Sequence, residues 1–373
     1  MPRNYRVAVI GRTGRGNYGH GLDVVWREFK NVQIVAVADE SDAGRAAAQK
    51  RLGARNVYAD FRDMLKKERP QIVSVADRHL DQHRDMVIAC AEAGASVFLE
   101  KPMCRTLAEA DEIIAACEKH HVKLAIAHQT RYSPRLARVK DMIAAGDLGD
   151  VLEMRGRGKE DSRVGGNDLM VLGTHIFDLM RFIGGDCRWC FAKVQQTEKG
   201  AVRPITKADV RDGGEGMGPV AGDHITALYG FDRGVMGHFA SQRSTRRPGE
   251  RDRFGLTIYG SRGIVQTTTG SLPATFFLSD PSWFPGRGPA KWQEITSAGI
   301  GKPETLKDGG LAQGNVWIAQ DLMEAIERDR QPKGSMYDAR AALEMILAVY
   351  ESQRTQRTVE LPMKNRRQPL TML

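Results

Sequence analysis

Short apolar runs alternate with helix-like segments over roughly the first 130 residues, and this alternation constrains the fold more than any other feature. The apolar runs are Arg6–Ile10, Val32–Ala38, Ile72–Ala76, Ala95–Leu99 and Lys123–Ala127. The segments between them predict helices over 19–29, Ser41–Leu52, Phe61–Lys67, Asp81–Ala93 and Leu107–His121. Apolar strands separated by helices are typical of a parallel sheet covered on both faces. The sequence therefore predicts an N-terminal α/β domain with a doubly wound parallel sheet.

The pattern changes after a predicted helix at Leu136–Ala145, where strand-like runs follow one another without helices between them. These runs are Val151–Arg157, Trp189–Gln195, His224–Phe231, Val235–Ser241, Phe254–Tyr259, Ile264–Thr269 and Ala274–Leu278. Glycine-rich turns between such runs favour a mostly antiparallel sheet. Two helices, roughly Gln313–Arg328 and Ala339–Thr355, close the chain, and 200–222 and 280–312 are predicted to be loops. The 373 residues thus predict an α/β domain at 1–130 and an α+β domain at 131–373, whose last helix can pack back on the first domain.

Composition argues against several classes of protein. The formal charge is +9, but lysine and arginine are spread along the chain, which does not favour a nucleic-acid partner. Five cysteines favour a reducing compartment, and the single C-x-x-C at Cys187 and Cys190 lacks the second pair that a zinc site needs. No apolar run approaches the ~20 residues that span a bilayer, and the N-terminus has no signal-peptide pattern. We expect a cytoplasmic protein with no metal site and no nucleic-acid or membrane partner.

A glycine-rich turn directly follows the first predicted strand. It reads Gly11, Arg12, Thr13, Gly14, Arg15 and Gly16. Such a turn lets the backbone approach a pyrophosphate, and the next helix offers free N–H groups and the positive end of its dipole. The match to G-x-G-x-x-G is imperfect, because Thr13 stands where the second glycine belongs. We predict that this turn binds a dinucleotide, with a plain chain reversal as the alternative.

An acidic residue at the end of the second predicted strand strengthens this prediction. Asp39 lies 23 residues after Gly16. A carboxylate there can accept both hydroxyls of a ribose and would repel a 2′-phosphate, which favours NAD over NADP. A helix-capping role is the alternative, and nearby Arg45 could soften the discrimination.

Glu100, Lys101 and Pro102 follow the fourth predicted strand. Ligand sites in open α/β sheets lie beyond the carboxyl ends of the strands, so a lysine there would point into the cleft. An amine in that place suits general acid/base work. A surface lysine before a proline turn is the alternative.

More motifs follow in order along the chain. They are Ala91-Glu-Ala-Gly94, Arg131-Tyr-Ser-Pro134, Gly173-Thr-His175-Ile-Phe-Asp178-Leu, the helix-like stretch 342–352, and Val359-Glu-Leu-Pro362. Together with the glycine-rich turn, Asp39 and Glu100-Lys101-Pro102, they resemble the Gfo/Idh/MocA oxidoreductases, which include inositol and sugar dehydrogenases. The resemblance covers nearly the whole length and implies a Rossmann domain that binds NAD, followed by a substrate-binding and oligomerisation domain.

The resemblance also implies roles for single residues. Lys101 and His175 would be the catalytic acid/base groups, with Lys101 beside the nicotinamide. The cofactor contacts would be Gly11, Arg12, Thr13, Gly14, Arg15, Gly16, Asp39, Ala76, Asp77, His79, His83, Glu100, Lys101 and Gln129. The substrate contacts would be Arg131, Tyr132, Asp168, His175 and Asp178, with Asp178 binding a hydroxyl or orienting His175. A buried structural histidine is the alternative for His175.

Two departures from the family pattern concern the site. The family often has an aspartate four residues before the histidine, and this chain has Val171 there, which cannot move a proton. His175 would then work alone or with Lys101, or Asp168 would reach in from the preceding turn. The third strand ends in Ala76-Asp77-Arg78-His79 in place of the usual Thr-Pro, whereas His83 matches the family's histidine.

The function that we expect is an NAD-dependent oxidoreductase that transfers a hydride between nicotinamide and a sugar, polyol or related polyhydroxylated substrate. A homodimer or homotetramer is expected, because the family tends to assemble through an open sheet face. One alternative is a redox-neutral glycosidase or lyase that retains NAD and acts by transient oxidation and elimination. Another is a non-catalytic NAD-binding regulator, against which Lys101 and His175 argue.

Overall fold

The computed structural model describes residues 4–163, 165–243 and 253–373, and these fall into two compact units. The first unit comprises Met1–Gln129, Gly214–Gly218 and Leu311–Arg340. The second comprises Thr130–Gly213, Pro219–Gly310 and Ala341–Leu373. A single division after residue 130 would instead assign 214–218 and 311–340 to the second domain.

The first unit contains a parallel sheet. Its strands are β1 (Tyr5–Ile10), β2 (Val32–Ala38), β3 (Asn56–Tyr58), β4 (Ile72–Val75), β5 (Ser96–Leu99) and β6 (Leu124–Ile126). They lie in the order β3-β2-β1-β4-β5-β6, and every neighbouring pair is parallel. The doubly wound α/β prediction is confirmed. The sequence did not indicate β3, a three-residue strand with no buried residue to mark it.

Helices connect these strands, and side-chain caps explain where three of them begin. They are α1 (Asp42–Leu52), α2 (Phe61–Glu68), α3 (His83–Glu92) and α4 (Leu107–Lys119). Ser41, Asp60 and Thr106 precede α1, α2 and α4, and each accepts a hydrogen bond from a backbone N–H of the first turn. Such caps satisfy N–H groups that have no partner inside the helix.

The helix predicted over 19–29 is wrong. The structure has turns there, followed only by a short 3-10 helix at Val25–Glu28. Gly14, Gly16, Gly19 and Gly21 all adopt positive φ, between 61° and 85°, which a right-handed helix does not allow. These glycines therefore extend the turn into the segment for which the sequence predicted a helix.

The second unit contains a large mixed sheet. Its elements in chain order are α5 (Pro134–Ala145), β7 (Val151–Arg157), α6 (Gly166–Val171), α7 (Gly173–Gly184), β8 (Cys187–Glu198), β9 (Ala201–Pro204), β10 (Arg211–Asp212), β11 (Pro219–Val220), β12 (His224–Phe231), β13 (Met236–Gln242), β14 (Gly255–Gly260), β15 (Gly263–Thr268), β16 (Thr275–Leu278), β17 (Gln293–Thr296), β18 (Gly299–Ile300) and β19 (Val359–Glu360). The sheet runs β18-β17-β16-β15-β14-β7-β13-β12-β8-β19, with β9 paired to β8, and β10 pairs with β11 apart from it.

Most pairs in the large sheet are antiparallel, as predicted, and β7 with β13 is a parallel pair. The loop predictions for 200–222 and 280–312 are wrong in part. The first segment contains β9, β10 and β11, and the second contains β17 and β18. These strands have two to four residues, too few to show an alternating pattern in a sequence.

Two long helices complete the chain. The first, α8 (Leu311–Glu327), belongs to the first unit, and α9 (Met336–Thr355) begins in the first unit and ends in the second. Within the described part of the chain, no helix combines the length and the apolar character that crossing a membrane requires.

Candidate functional site

A cavity opens at the carboxyl ends of β1, β2 and β3 in the first unit. It holds ≈ 810 Å³, part of which is open to solvent. Residues from the strand ends and from the start of α2 line it, among them Gly11, Arg12, Asp39, Glu40, Phe61 and Arg62. Ligands of open parallel sheets bind at this edge, so the cavity is the first candidate for a binding site.

The glycine-rich turn at the end of β1 closes on itself. The backbone N–H groups of Arg12 and Asn17 donate to each other's carbonyl oxygens at 2.9 and 3.0 Å. The Gly14 N–H donates to Asn17 Oδ1 at 3.0 Å, and the Arg15 N–H donates to the Arg12 carbonyl at 2.9 Å. No α-helix follows in the described residues 11–24, so the helix dipole expected at this turn is a wrong prediction. Any anion here must be met by side chains and by the remaining N–H groups.

Asp39 ties the turn to the end of β2. It is 2% exposed, and its carboxylate accepts from the Thr13 N–H at 3.0 Å and from the Thr13 hydroxyl at 2.7 Å. The Tyr18 hydroxyl donates to the same carboxylate at 2.9 Å, and so does the Ser41 N–H at 2.9 Å. The predicted ribose acceptor thus has protein donors around it, and Thr13, the residue that breaks the glycine motif, supplies two of them.

Arg12 lies inside the cavity wall, between two carboxylates. Its Nη1 donates to Asp77 at 3.0 Å and to Asp81 at 2.9 Å. Burial raises the pKa of Asp77. Burial is also the largest single influence on Asp81 and acts upward, but the hydrogen bond and the charge of Arg12, together with smaller contributions, outweigh it, so the pKa of Asp81 is lowered. The Nε of Arg12 is buried without a hydrogen-bond partner, which leaves one donor at the cavity for a ligand.

His83 links the end of β4 to the loop after β5. Its Nε2 lies 2.7 Å from the Asp77 carbonyl, and its Nδ1 lies 3.1 Å from the Pro102 carbonyl and 3.2 Å from that of Met103. The histidine is fully buried and fixes the backbone on both sides of the predicted cofactor wall.

The other residues predicted at this wall also lie at the strand ends. Ala76 follows β4, and Gly19 packs so closely on it that a Cβ on Gly19 would lie 2.5 Å from the Ala76 oxygen. The His79 N–H donates to Asp77 at 2.9 Å. Gln129 is buried and donates to Asn315 of α8 at 2.9 Å. Arg15 is exposed in the turn, whereas Gly16 is half-buried and packs so closely on Arg78 that a Cβ there would lie 2.8 Å from the Arg78 Cβ.

Glu100 and Lys101 follow β5 directly, and both are buried. Glu100 is 0% exposed; its Oε1 contacts His20 Nδ1, and its Oε2 has no hydrogen-bond partner. The carbonyl of His20 is held in turn by the Asn315 amide at 2.9 Å. A buried carboxylate oxygen without a donor is costly, so this oxygen marks a place where a bound ligand can donate.

The remaining predicted residues belong to the second unit, where α6 and α7 carry Asp168, His175 and Asp178, and a short 3-10 helix before α5 carries Arg131 and Tyr132. His175 is the third residue of α7 and is half-buried. Its ring packs edge-on against the Phe254 ring, with 6.1 Å between the ring centres. Val171 is buried at the end of α6. Tyr132 is 9% exposed. His175 is therefore partly accessible, its acid/base role stays a prediction, and an apolar side chain does occupy position 171.

Asp168 is fully buried and holds the loop after β7. Its carboxylate accepts from the N–H groups of Lys159 and Glu160 at 3.1 and 3.2 Å, and from the Ser241 hydroxyl at 2.6 Å. Burial is the largest influence and raises its pKa to about 6. This geometry favours a structural role, and substrate binding by Asp168 stays a prediction.

Arg131 and Asp178 form a buried ion pair with each other. Arg131 Nη2 and Nε donate to Asp178 at 2.7 and 2.9 Å, and the guanidinium lies 5.1 Å from the centre of the Phe182 ring. The two side chains are 7% and 1% exposed. The prediction that both bind substrate gains no support from this arrangement, which commits each to the other.

Three residues at the first unit's edge lie outside the set predicted from the sequence. Tyr18 and His20 sit between the turn glycines, and Glu40 follows Asp39. The turn residues carry no signal of their own, because their partners Asp39 and Glu100 are distant in sequence. Glu40 could have been noticed as a second acid at the end of β2.

Comparison with known proteins decides the family. Residues 5–128 match the oxidoreductase family with an NAD-binding Rossmann fold, and residues 136–266 match the Gfo/Idh/MocA C-terminal domain. The chain belongs to the Gfo/Idh/MocA oxidoreductase family. The resemblance seen in the motifs is thereby confirmed, and the first unit of this Gfo/Idh/MocA protein is an NAD-binding domain.

Curated Gfo/Idh/MocA relatives match over part of their length. D-apiose dehydrogenase of Paraburkholderia graminis is 30% identical over 174 residues, 43% of this chain and 45% of that protein. Levoglucosan dehydrogenase of Pseudarthrobacter phenanthrenivorans is 27% identical over 258 residues, 62% of this chain and 64% of that protein. The matched region thus spans less than two thirds of either relative.

Solved structures show the same fold over a greater length. Levoglucosan dehydrogenase in complex with NADH and levoglucosan has a TM-score of 0.76 at 22% identity, with 97% of this chain and 100% of that chain covered. An oxidoreductase domain protein from Kribbella flavida has a TM-score of 0.75, also at 22% identity, with the same coverage. At these identities the likeness concerns the fold.

Proposed function

We propose that this protein is an NAD-dependent dehydrogenase of a sugar, a polyol or a related polyhydroxylated compound. The observation that carries the proposal is the buried Glu100-Lys101 pair at the end of β5, at the ligand-binding edge of an NAD-binding sheet. The names of the relatives support the substrate class, because they include D-apiose, levoglucosan and myo-inositol 2-dehydrogenases.

The residues of the first unit suit NAD. The cavity offers the donor Arg12 Nε and the carboxylate of Glu40, and the ring of Phe61 adds an apolar surface for a base. At the end of β5, Glu100 Oε2 is free to accept from a ribose hydroxyl or an amide. NAD, when bound, supplies the acceptor for the hydride that leaves the substrate carbon.

Lys101 is the proton-transferring group in this proposal. Its amine takes the proton of the substrate hydroxyl while the C–H bond on the same carbon breaks, and it returns that proton in the reverse reaction. His83 holds the carbonyls of Pro102 and Met103, so the loop that carries Lys101 is fixed to the end of β4. His175 is proposed as the second acid/base group, acting without the aspartate that Val171 replaces.

Substitution of Lys101 tests this function. Lys101→Met should lower turnover at least about 100-fold, since general acid/base catalysis contributes that much, and should leave the Kd for NAD within a few-fold. Turnover is read as NADH absorbance on a panel of sugars and polyols. The control is Lys119→Met, on an exposed lysine in the last turn of α4, which should keep wild-type turnover.

Two outcomes would contradict the proposal. Near-normal turnover in Lys101→Met would remove the assigned role of that amine. Wild-type protein that cleaves a glycoside with tightly held cofactor and no net NADH would favour the redox-neutral glycosidase or lyase instead.

We also propose that the chain forms a homodimer or homotetramer in the cytoplasm and has no nucleic-acid or membrane partner. Support for assembly comes from the family resemblance and from an exposed sheet face in the second unit. The free state of Cys90, Cys104, Cys117, Cys187 and Cys190 agrees with a reducing compartment.

A further inference from the structure

We propose that Glu40 selects NAD over NADP, and that Asp39 is a positioning residue that holds the glycine-rich turn. The inference rests on the proposed NAD-dependent function. It reassigns the discrimination that the sequence pattern gave to Asp39, the usual acid at the end of the second strand.

The carboxylate of Asp39 has no lone pair to offer a ribose. A carboxylate accepts at about four lone-pair sites. Its Oδ2 accepts from the N–H and hydroxyl of Thr13 and from the hydroxyl of Tyr18 at 3.0, 2.7 and 2.9 Å, and its Oδ1 accepts from the N–H groups of Ser41 and Thr13 at 2.9 and 3.2 Å. A ribose hydroxyl could bind only if one of these donors left.

Packing keeps the hydroxyl donors in place. The Tyr18 ring fills the space over Gly11 so closely that a Cβ there would lie 2.3 Å from it, and Arg51 lies 4.7 Å from the ring centre. At the start of α1, a Cβ on Gly44 would lie 2.1 Å from Thr13 Oγ1 and 2.8 Å from Asp39 Oδ2. Release of Asp39 would therefore disturb the turn, the tyrosine and the first turn of α1 together.

Glu40, the next residue, has the exposure that Asp39 lacks. It is exposed and lines the cavity. Arg45 contacts Glu40 through the backbone, because its guanidinium donates to the backbone oxygens of Asp39 and Glu40 and pairs with Asp42. The Glu40 carboxylate is thus available to accept from a ribose and to repel a 2′-phosphate.

The other charges of the cavity agree with this selection. Asp39, Glu40, Asp60 and Asp85 line it together with Arg12 and Arg62, four acids against two bases. Arg12 is committed to Asp77 and Asp81, and Arg62 lies 4.4 Å from the centre of the Phe61 ring. Asp77 and Asp81 already balance the charge of Arg12, which keeps only its Nε as a donor at the cavity, so Arg62 is the base better placed to meet a 2′-phosphate, and Glu40 lines the same cavity.

Binding of NAD and NADP to purified variants, measured by calorimetry without substrate, tests the inference. Glu40→Gln should keep the wild-type Tm, weaken NAD, strengthen NADP and so lower the NAD preference about tenfold, the effect of one hydrogen bond to a charged group. Asp39→Asn should lower the Tm and weaken both cofactors alike, with the preference changed less than about threefold. Glu28→Gln, on an exposed glutamate outside the cavity, is the matched control and should change nothing.

Tyr18→Phe keeps the experiment decisive if Asp39→Asn does not fold. This variant removes the one competing donor that Tyr18 supplies while the ring stays over Gly11, and Asp39 Oδ2 still accepts from the N–H and hydroxyl of Thr13. If Asp39 were the ribose acceptor, the variant would bind NAD more tightly; we expect NAD binding that is unchanged or weaker, with an unchanged preference.

The results separate the inference from the function on which it rests. The inference alone is overturned if the preference for NAD over NADP survives in Glu40→Gln but is lost in Asp39→Asn or increases in Tyr18→Phe. Wild-type protein that binds neither cofactor overturns the proposed function and the inference together.

Discussion

Asp168 shows, at the scale of one residue, how burial changes what a carboxylate can do. It matches no strong pattern in the sequence, and it was expected to contact substrate. In the structure its three donors come from the loop after β7 and from β13, and a Cβ on Gly158 would lie 2.0 Å from its Oδ2. The carboxylate is therefore enclosed by these donors and by the backbone at Gly158.

The pKa of Asp168 makes a prediction about stability and pH. Its folded value of about 6 exceeds the ordinary 3.8, so between these values the unfolded chain releases a proton that the folded chain keeps. Stability from this group is complete below the lower value and is lost as the pH rises to the upper one, by about 3 kcal/mol. Urea unfolding of wild type and Asp168→Asn at several pH values should show this loss in the wild type only.

The exposed Asp141 provides the control for that measurement. Asp141→Asn should follow the wild-type pH dependence, because its carboxylate is 65% exposed. Identical pH profiles for wild type and Asp168→Asn would mean that Asp168 is ionised in the folded state throughout, and would reopen a role at the substrate.

At the scale of elements, periodicity predicted the strands well and failed where glycines decide the backbone. The runs that became β1, β2, β4 and β5 are mostly apolar and almost entirely buried because both faces of the sheet are covered, and this shows in the sequence. The segment 19–29 has enough apolar residues for a helix, but the positive φ of Gly19 and Gly21 and the contact of Tyr18 with Asp39 hold it in turns. That contact joins residues 21 positions apart, which a local pattern cannot register.

The ion pair between Arg131 and Asp178 supports a prediction about the second unit. It fixes the segment before α5 to α7, with both partners almost fully buried. Asp178→Asn removes the carboxylate charge that pairs with the buried Arg131 guanidinium and should lower the free energy of unfolding by about 3 kcal/mol or more. Urea denaturation measures this free energy. The control is Asp141→Asn, which breaks the exposed pair with Arg138 and should lower the free energy of unfolding by less than about 1 kcal/mol.

Activity of the same variant decides between the two roles of Asp178. A stable Asp178→Asn protein with an increased KM would show that the residue binds substrate, as the family resemblance implied. Loss of stability with KM unchanged in the folded fraction would show that it acts by holding α7.

At the scale of the whole molecule, the sequence predicted two kinds of sheet but not which distant segments complete each unit. Asn315 of α8 donates to the His20 carbonyl across 295 positions, and the Leu80 N–H donates to the Glu215 carbonyl. The amphipathic pattern of α8 says that one of its faces is buried, and it does not name the sheet that buries it. Residues 214–218 and 311–340 therefore join the first unit through contacts that only the folded chain reveals.

One face of the large sheet in the second unit gives the prediction for the assembled protein. One face of this sheet packs on α7, since a Cβ on Gly156 of β7 would lie 2.3 Å from Ile176. Arg155, the neighbour of Gly156 on β7, therefore points to the other face, away from α7. On this face away from α7, the strand register places seven residues in one row: Phe191, Leu228, His238, Arg155, Thr257, Gln266 and Phe276. None of them is fully buried, and Phe276 is 39% exposed.

If copies of the chain associate through this row, light scattering after gel filtration should give two or four times the 41.3 kDa of one chain. Phe276→Glu places a charge where an apolar side chain would be buried, and should shift the mass toward a single chain. Leu306→Glu, on a residue that is also 39% exposed but lies outside the row, should keep the wild-type mass. A wild-type mass of 41.3 kDa would contradict assembly altogether, whereas an oligomer that both variants leave intact would place the contact on another surface.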